Sequence, residues 1–333
     1  MDYKNKYNKY KNKYNKLKYK NNIHNLIGGI CDKNKKFSYD DINSVLEYVK
    51  NRYECTDNKK TKNKYFVILY GPPASGKTIS RNIACTLIKK YYGESESIDN
   101  ILKSFIDTGV DEIVYDTYYK EDPLKSVKEK LKDTLDNFFL QKSIDNQNKL
   151  EYLQNHIYDS DLQKVVTDNT NIYLDYRKNK NIDEISTLLG VFATYINQNV
   201  FFEIASPHID YINNLISTIY YKNYKILFIY PYTDNLDLLK RRNYLRVHDE
   251  SRLINPSELE KKLALCYESY MNLVINEKNP QSMINIHKNI LFFRYNTDLS
   301  IDLYMKIFRK HSYDEIEEEL KPFIYDLILE KKK

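Results

Sequence analysis

The 333-residue sequence contains no tryptophan and only seven glycines, whereas tyrosine occurs 33 times and lysine, asparagine and isoleucine are frequent. The frequent residues have AT-rich codons, so the composition indicates an AT-rich genome, such as that of a large DNA virus or a low-GC microbe. This bias weakens arguments from composition alone. The scarcity of glycine has the opposite effect, because a glycine-dependent motif rarely arises by chance in such a chain.

The sequence also lacks paired cysteines and long apolar runs. Its four cysteines form no CxxC pair, so neither a zinc knuckle nor a redox motif is predicted, and free thiols in a reducing compartment are expected. No apolar run approaches the roughly 20 residues of a membrane helix, and no apolar segment typical of a signal peptide lies near the first residue. We therefore expect an intracellular, cytoplasmic protein without a transmembrane segment, in the host cytoplasm if the genome is viral.

Positive charge is concentrated at the start of the chain. Residues 1–22 carry eight lysines and one aspartate, so the remainder is close to neutral although the net charge is +6. A neutral body gives no general argument for nucleic-acid binding. The Tyr/Lys/Asn tract is typical of a disordered tail. Alternatively, its tyrosines recur at helical spacing and predict a basic amphipathic helix that contacts an acidic partner, RNA or a membrane surface.

A phosphate-binding motif follows the first predicted strand. The octapeptide, which matches GxxxxGK[ST], is Gly71-Pro72-Pro73-Ala74-Ser75-Gly76-Lys77-Thr78. Such a loop binds a polyphosphate because its backbone N–H groups converge and the following helix contributes its positive N-terminus. Gly71 and Gly76 allow this backbone path, Lys77 reaches the β- and γ-phosphates, and Thr78 ligates Mg²⁺. The motif therefore predicts ATP and Mg²⁺ as ligands.

The order of apolar runs predicts the fold class. Short runs at 65–70, 112–115, 200–202, 225–230 and 290–294 have the composition of buried strands, and helical patterns separate them. This order predicts an α/β fold, a P-loop NTPase three-layer sandwich with a five-stranded, mostly parallel sheet. A helical insertion and helical terminal extensions are expected around this sheet.

Several charged residues follow the predicted strands, where ligands collect at the edge of a parallel sheet. Asp116 is the expected general base for an acceptor hydroxyl, with Asp111 and Asp107 as competitors. Glu203 is expected to hold Mg²⁺ through water or to bind substrate. Arginines suited to clamp a phosphoryl group follow the fourth strand, namely Arg241, Arg242, Arg246 and Arg252. The structural alternatives are a helix cap for Asp116, a turn carboxylate for Glu203 and a solvated helix face for the arginines.

These segments, in this order, resemble the zeta-toxin-like P-loop kinases, especially divergent copies from giant DNA viruses. The resemblance covers about residues 63–296 and includes YPYTDNLDLLKRRNYLRVHDESRL and ILFFRYNT. It implies that Lys77 and Thr78 bind ATP and Mg²⁺, that Asp116 is the base, and that Glu203 binds substrate or metal. The lid arginines that it implies are Arg242, Arg246 and Arg252. The acceptor side departs from the family pattern, because Ser251 stands where the family has glycine before the last lid arginine.

The main prediction is an ATP-dependent kinase that transfers the γ-phosphoryl group to a hydroxyl of a small molecule or nucleotide. The Asn-Lys-x-Asp motif of GTPases and the paired motifs of helicases are absent. Two alternatives stay open: a polynucleotide 5′-hydroxyl kinase that grips nucleic acid with its basic tail, and a non-catalytic nucleotide-binding structural or interaction protein. The expected segments are a tail (1–22), a helical extension and linker (23–63), a kinase-like domain (64–296, insertion 120–197) and a C-terminal helical extension (297–333).

Overall fold

The structure is a computed structural model. It describes residues 61–110, 124–156, 159–179, 182–195, 197–205, 212, 216, 219, 223–287, 290–308 and 318–328. The predicted tail, nearly all of the predicted helical extension, and the predicted strand 112–115 lie outside these residues, as do Asp111 and Asp116.

A six-stranded sheet forms the centre of the chain. The strands are β1 (Tyr65–Tyr70), β2 (Phe105–Asp107), β3 (Asn199–Ile204), β4 (Lys225–Tyr232), β5 (Ile290–Asn296) and β6 (Ile324–Ile328). Their spatial order is β2-β3-β1-β4-β5-β6, in which β1 to β5 run parallel and β6 runs antiparallel to β5. The predicted mostly parallel α/β sheet is confirmed: four of the predicted strands are present among the described residues, and β2 and β6 are strands that were not predicted.

Helices cover both faces of the sheet and complete the predicted three layers. They are α1 (Lys77–Tyr92), α2 (Ile98–Lys103), α3 (Leu124–Gln141), α4 (Lys149–Asn155), α5 (Ser160–Asn179), α6 (Ile182–Tyr195), α7 (Leu236–Glu250), α8 (Pro256–Ser269), α9 (Met283–Ile286) and α10 (Ile301–Phe308). A π-helix, Tyr270–Ile275, continues α8, and a 3₁₀ turn, Lys321–Phe323, precedes β6.

Alternate residues of β1 point to opposite layers, as the pleat of a strand requires. Val67 and Leu69 pack in the layer formed by α1, α2 and α10. Ile68 and Tyr70 pack in the layer that contains α6 and α8. Because every residue of β1 is buried, its six apolar and aromatic residues form the uninterrupted pattern that a central parallel strand requires. The strand therefore delivers the loop that follows it to the middle of the sheet edge.

β2, Phe105–Asp107, is a strand that was not predicted from the sequence, whereas the predicted strand at 112–115 lies outside the described residues. Phe105 stacks on Phe201 of β3, with ring centroids 4.0 Å apart. Ser104 accepts a hydrogen bond from the Asn199 side chain at 2.8 Å, which fixes the start of the pairing. Three residues are too few to produce a recognisable alternation, so the pattern of the sequence could not indicate this strand.

The helical insertion between β2 and β3 consists of α3 to α6, and its helical character is as predicted. Its outer part has a hydrophobic cluster of its own, which also includes residues of α7 and the residue Leu253. The buried members are Leu135, Phe138, Phe139, Leu153, Leu162, Val166, Tyr244, Val247 and Leu253. The arginine-bearing helix α7 is therefore packed against the insertion.

Within the predicted C-terminal helical extension (297–333), Ile324–Ile328 form a strand in place of a helix. Residues 318–320 are helical, but the 3₁₀ turn containing Pro322 follows, and β6 begins at Ile324. Proline cannot continue a helix because it lacks a backbone N–H and its ring clashes with the preceding turn. Asp326 then forms an ion pair with Arg294 of β5 (2.5 Å), which holds β6 at the edge of the sheet.

Candidate active site

The loop between β1 and α1 has a backbone path that depends on glycine. Gly71 (φ 142°), Ala74 (φ 61°) and Gly76 (φ 100°) all have positive φ angles. The Gly71 N–H donates to the Ile204 carbonyl of β3 (3.1 Å), and the Ser75 N–H donates to the Pro72 carbonyl (3.3 Å). The loop is therefore tightly turned and anchored to the end of the neighbouring strand.

Gly71 is also required for space. A Cβ atom at this position would lie 3.0 Å from the Ser75 Oγ and 3.3 Å from both the Pro231 carbonyl oxygen and Tyr230 Cδ2. Gly76 is less crowded, because the nearest atom to its Cβ position is Thr297 Cγ2 at 3.6 Å. Gly76 is thus needed for its backbone angles, and Gly71 for its angles and for its lack of a side chain.

The N-terminal end of α1 is positively polarised by its main-chain N–H groups. Gly76 precedes the helix without a side-chain cap, and the first turn contains no acidic residue. The N–H groups at such a helix end favour an anion. Ser75 supplies a second, independent indication of a ligand, because its Oγ is buried and has no hydrogen-bond partner among the described residues. A phosphate group in the loop would satisfy both features.

Lys77 extends back over the loop. Its side chain is only 7% exposed, and its Nζ donates to the carbonyls of Gly71 (3.0 Å) and Pro72 (2.9 Å). Glu203 Oε1 lies 3.5 Å from the same Nζ. The ammonium group is therefore held in the concave side of the loop, where the sequence predicts that it meets phosphate.

Two carboxylates from neighbouring strands meet at one arginine of α1, and one of them, Glu203, also contacts this lysine. Asp107 ends β2, and Glu203 is the fifth residue of β3. Arg81 of α1 connects them, because its Nη2 is 2.5 Å from Asp107 Oδ2 and 3.7 Å from Glu203 Oε2. The Gly109 N–H also donates to Asp107 Oδ1 (2.8 Å). Lys77, Arg81, Asp107 and Glu203 form a charge-balanced cluster at the sheet edge.

Arg242 of α7 reaches the other side of the phosphate loop. Its Nη1 donates to Thr297 Oγ1 (2.9 Å) and its Nη2 to the Thr297 carbonyl (2.5 Å). Thr297 follows β5, and its methyl group is the nearest atom to the Cβ position of Gly76. The structure therefore brings one of the predicted arginines to the loop and fixes its guanidinium there.

A comparison of sequences now identifies relatives of the chain. It is 33% identical over 270 residues to "Uncharacterized protein L872" of Acanthamoeba polyphaga mimivirus, an alignment that spans 80% of this chain and 73% of the mimivirus protein. The chain belongs to the L872 protein family. No protein-family profile matches it. A chain from the PezAT chromosomal toxin–antitoxin system of Streptococcus pneumoniae is similar at a TM-score of 0.43 and 11% identity, over 86% of this chain and 95% of that chain.

The other predicted arginines of this L872-family protein lie in different surroundings. Arg246 is half-buried one turn beyond Arg242 on α7. Arg252 is 4% exposed, and its guanidinium carbon lies 3.7 Å from the ring centroid of Tyr173 on α5. Asn169 of α5 holds the same segment by donating to the Ser251 carbonyl (2.6 Å). Arg252 is thus enclosed between α7 and the insertion.

Buried aromatic and sulfur groups lie behind the loop of the L872-family protein. Burial raises the pKa of the Tyr70 and Tyr230 hydroxyls well above the ordinary value. Burial likewise raises the pKa of the Cys266 thiol, and the nearby Tyr70 hydroxyl donates to the Cys266 carbonyl (3.1 Å). These groups therefore stay neutral at neutral pH. No helix among the described residues has the length and apolarity to cross a membrane.

Arg81 is the site residue that the sequence analysis missed. It lies four residues after Lys77, so the two side chains share one face of α1. That spacing was the available signal. Asp107, weighed only as a competitor of Asp116, takes the strand-end position beside Glu203, whereas Asp116 lies outside the described residues.

Proposed function

We propose that this protein is a kinase that transfers the γ-phosphoryl group of ATP to a hydroxyl of a small molecule or nucleotide. The observation that carries the proposal is the position of the phosphate loop. Its lysine, the two strand-end carboxylates and Arg242 all surround the end of the central strand. A kinase needs this combination of phosphate donors, a base and cations over the transferring group.

The residues present fit a magnesium–nucleotide complex. The uncapped end of α1 and the unpartnered Ser75 Oγ suit phosphate oxygens. The Thr78 side chain is exposed in the first turn of α1, where its hydroxyl would hold Mg²⁺ together with Glu203. The ion would neutralise charge on the β- and γ-phosphates.

The protein's own groups then have distinct roles. Lys77 exchanges its carbonyl partners for phosphate oxygens, because a charge-assisted bond to an anion is stronger than one to a neutral carbonyl. Arg242 contributes a second fixed cation, which stabilises the charge that develops on the transferring group. Asp107 and Asp116 are the candidate bases for the acceptor hydroxyl, and Arg246 is a further candidate phosphate ligand.

The decisive experiment compares Lys77→Ala with a matched control, Lys64→Ala. Lys64 precedes the same strand at its opposite end, where its Nζ contacts the exposed Asn197 side chain. Loss of a charged hydrogen bond costs about 1.5–3 kcal/mol, so Lys77→Ala should weaken Mg·ATP binding about 10- to 150-fold, and Lys64→Ala should not. Titration calorimetry measures both affinities.

Phosphate transfer is tested separately with labelled ATP and a set of hydroxyl acceptors, including sugars, nucleosides and 5′-hydroxyl oligonucleotides. The proposal requires transfer by the wild type and its loss in Lys77→Ala. Mg·ATP binding without transfer to any acceptor would reduce the function to nucleotide binding. Unchanged transfer in Lys77→Ala would refute the site assignment.

A further inference from the structure

Arg81 occupies a position between two carboxylates that face the same layer. In β2 and β3, Phe105 and Phe201 point toward α1, so Asp107 and Glu203, each two residues further along its strand, point the same way. The register pairs Asp107 with Phe201, which places Glu203 one pleat closer to the loop. One guanidinium nitrogen lies within ion-pair distance of both carboxylates.

The cluster is partly shielded from solvent, which strengthens the interactions between its charges. The exposed fractions are 18% for Arg81, 24% for Asp107 and 27% for Glu203. Charges in such a partly buried place interact more strongly than exposed pairs, because less water screens them. Without Arg81, two carboxylates would share this edge with Lys77 as the one remaining cation of the cluster.

A divalent cation would bind to the same two carboxylates, Asp107 and Glu203. Carboxylate oxygens are preferred ligands of Mg²⁺ and Mn²⁺, and Glu203 is the expected acid for the metal in the proposed kinase. An ion that arrives alone must compete with the Arg81 guanidinium, which pairs with both carboxylates and, together with Lys77, balances their charge. An ion that arrives with a triphosphate is already bound by phosphate oxygens, so it needs fewer ligands from the protein.

We propose that Arg81 is a positioning residue that blocks nucleotide-free metal binding at Asp107 and Glu203, so that the metal enters only with the nucleotide. This inference rests on the proposed function. The planar guanidinium suits the role, since it presents several fixed donors to two carboxylates at once, whereas a lysine ammonium is a single point charge. If Glu203 held the metal, Arg81 would still anchor Asp107 through their 2.5 Å ion pair.

The test measures Mn²⁺ binding to the full chain without nucleotide, by the electron paramagnetic resonance signal of free Mn²⁺. Wild type should bind Mn²⁺ weakly. Arg81→Met should bind it at least about tenfold more tightly, and adding Glu203→Gln should remove the gain. Arg177→Met is the matched control, because it removes an arginine from an exposed pair in which the Arg177 Nε donates to Asp183 (2.9 Å) far along the insertion.

Equal Mn²⁺ affinity in wild type and folded Arg81→Met would overturn the inference, and so would tight nucleotide-free binding by the wild type. If Arg81→Met does not fold, Arg81→Lys is used in its place. A smaller gain in Mn²⁺ affinity is then expected, because the lysine ammonium can still pair with one of the two carboxylates. Calorimetry with Mg·ATP on the wild type tests the proposed function separately from the role of Arg81. A wild type that fails to bind Mg·ATP contradicts the proposed function, whereas unchanged Mn²⁺ affinity in the variants contradicts only the role of Arg81.

Discussion

Replacement of Gly71 by alanine tests the steric reasoning about the phosphate loop. A side chain at φ 142° costs about 1–3 kcal/mol in backbone strain. The new methyl group also crowds Ser75 Oγ, the Pro231 carbonyl and Tyr230, and overpacking of this kind costs about 1–3 kcal/mol. The Pro231 carbonyl belongs to β4, so it cannot move aside cheaply. We expect Gly71→Ala to lower the free energy of unfolding by about 2–6 kcal/mol.

Gly93→Ala is the matched control. Gly93 follows α1 as its C-cap with φ 65°, and among the described residues no atom beyond its chain neighbours lies within 4 Å of its Cβ position. Gly93→Ala should lower the free energy of unfolding only by the cost of placing alanine in the left-handed region, about 1–2 kcal/mol. Urea unfolding followed by circular dichroism gives both free energies.

Nucleotide binding gives a second readout for the same pair. Mg·ATP at 100 times its dissociation constant should stabilise wild type and Gly93→Ala by about 2.7 kcal/mol, and Gly71→Ala much less. Equal destabilisation in the two variants, with equal nucleotide response, would refute the argument that crowding at Gly71 shapes the loop.

Two further predictions concern stability away from the loop. Burial alone would raise the pKa of Glu94, but hydrogen bonds from the Tyr65 hydroxyl and nearby main-chain N–H groups outweigh it and lower the pKa. Because the folded-state pKa of Glu94 is lower than the unfolded value of 4.5, the ionised carboxylate stabilises the fold above pH 4.5, and this contribution is lost as the pH falls through the folded-state pKa. The urea midpoints of wild type and Glu94→Gln should therefore converge below about pH 4.5. Arg294→Met removes the ion pair with Asp326 and the cation 4.9 Å from the Tyr325 ring, and should destabilise by about 1–3 kcal/mol, with faster hydrogen exchange in β6.

Each of these predictions has an opposing result. A midpoint difference for Glu94→Gln that stays constant from about pH 7 to 3 would mean that the carboxylate is not held in its charged form. Unchanged exchange in β6 after Arg294→Met would mean that main-chain pairing alone holds this strand. Asp326→Asn is the companion variant for Arg294→Met, since it keeps the shape of the side chain and removes the charge.

Local sequence patterns predicted the loop, its helix and most strands. The octapeptide is contiguous, so its identity needs no tertiary information, and the helix expected to follow it, α1, begins at Lys77. Asn255 caps α8 in an equally local way, because its side chain accepts the Ser257 N–H at 3.0 Å. Such local rules hold because a cap or a loop is decided by neighbours in the chain.

The strands and contacts that were not predicted depend on pairing between residues that are far apart in the sequence. β2 is defined by its register with β3, and β6 by the Arg294–Asp326 pair, whose members are 32 residues apart. Arg252 matches a lid arginine by order in the chain, yet Tyr173 on α5 encloses it. Neither the strand pairing nor this stacking leaves a periodic pattern in the residues involved.

The packing of α7 against the insertion has a mechanical consequence. Arg242 projects from one side of α7 toward the phosphate loop, while Tyr244 and Val247 bind the same helix to α3, α4 and α5. Because a close-packed interface transmits movement, a displacement of the insertion would also be expected to shift α7 and Arg242. In the proposed kinase, an acceptor that contacts the insertion would thereby change the position of an arginine beside the phosphate loop.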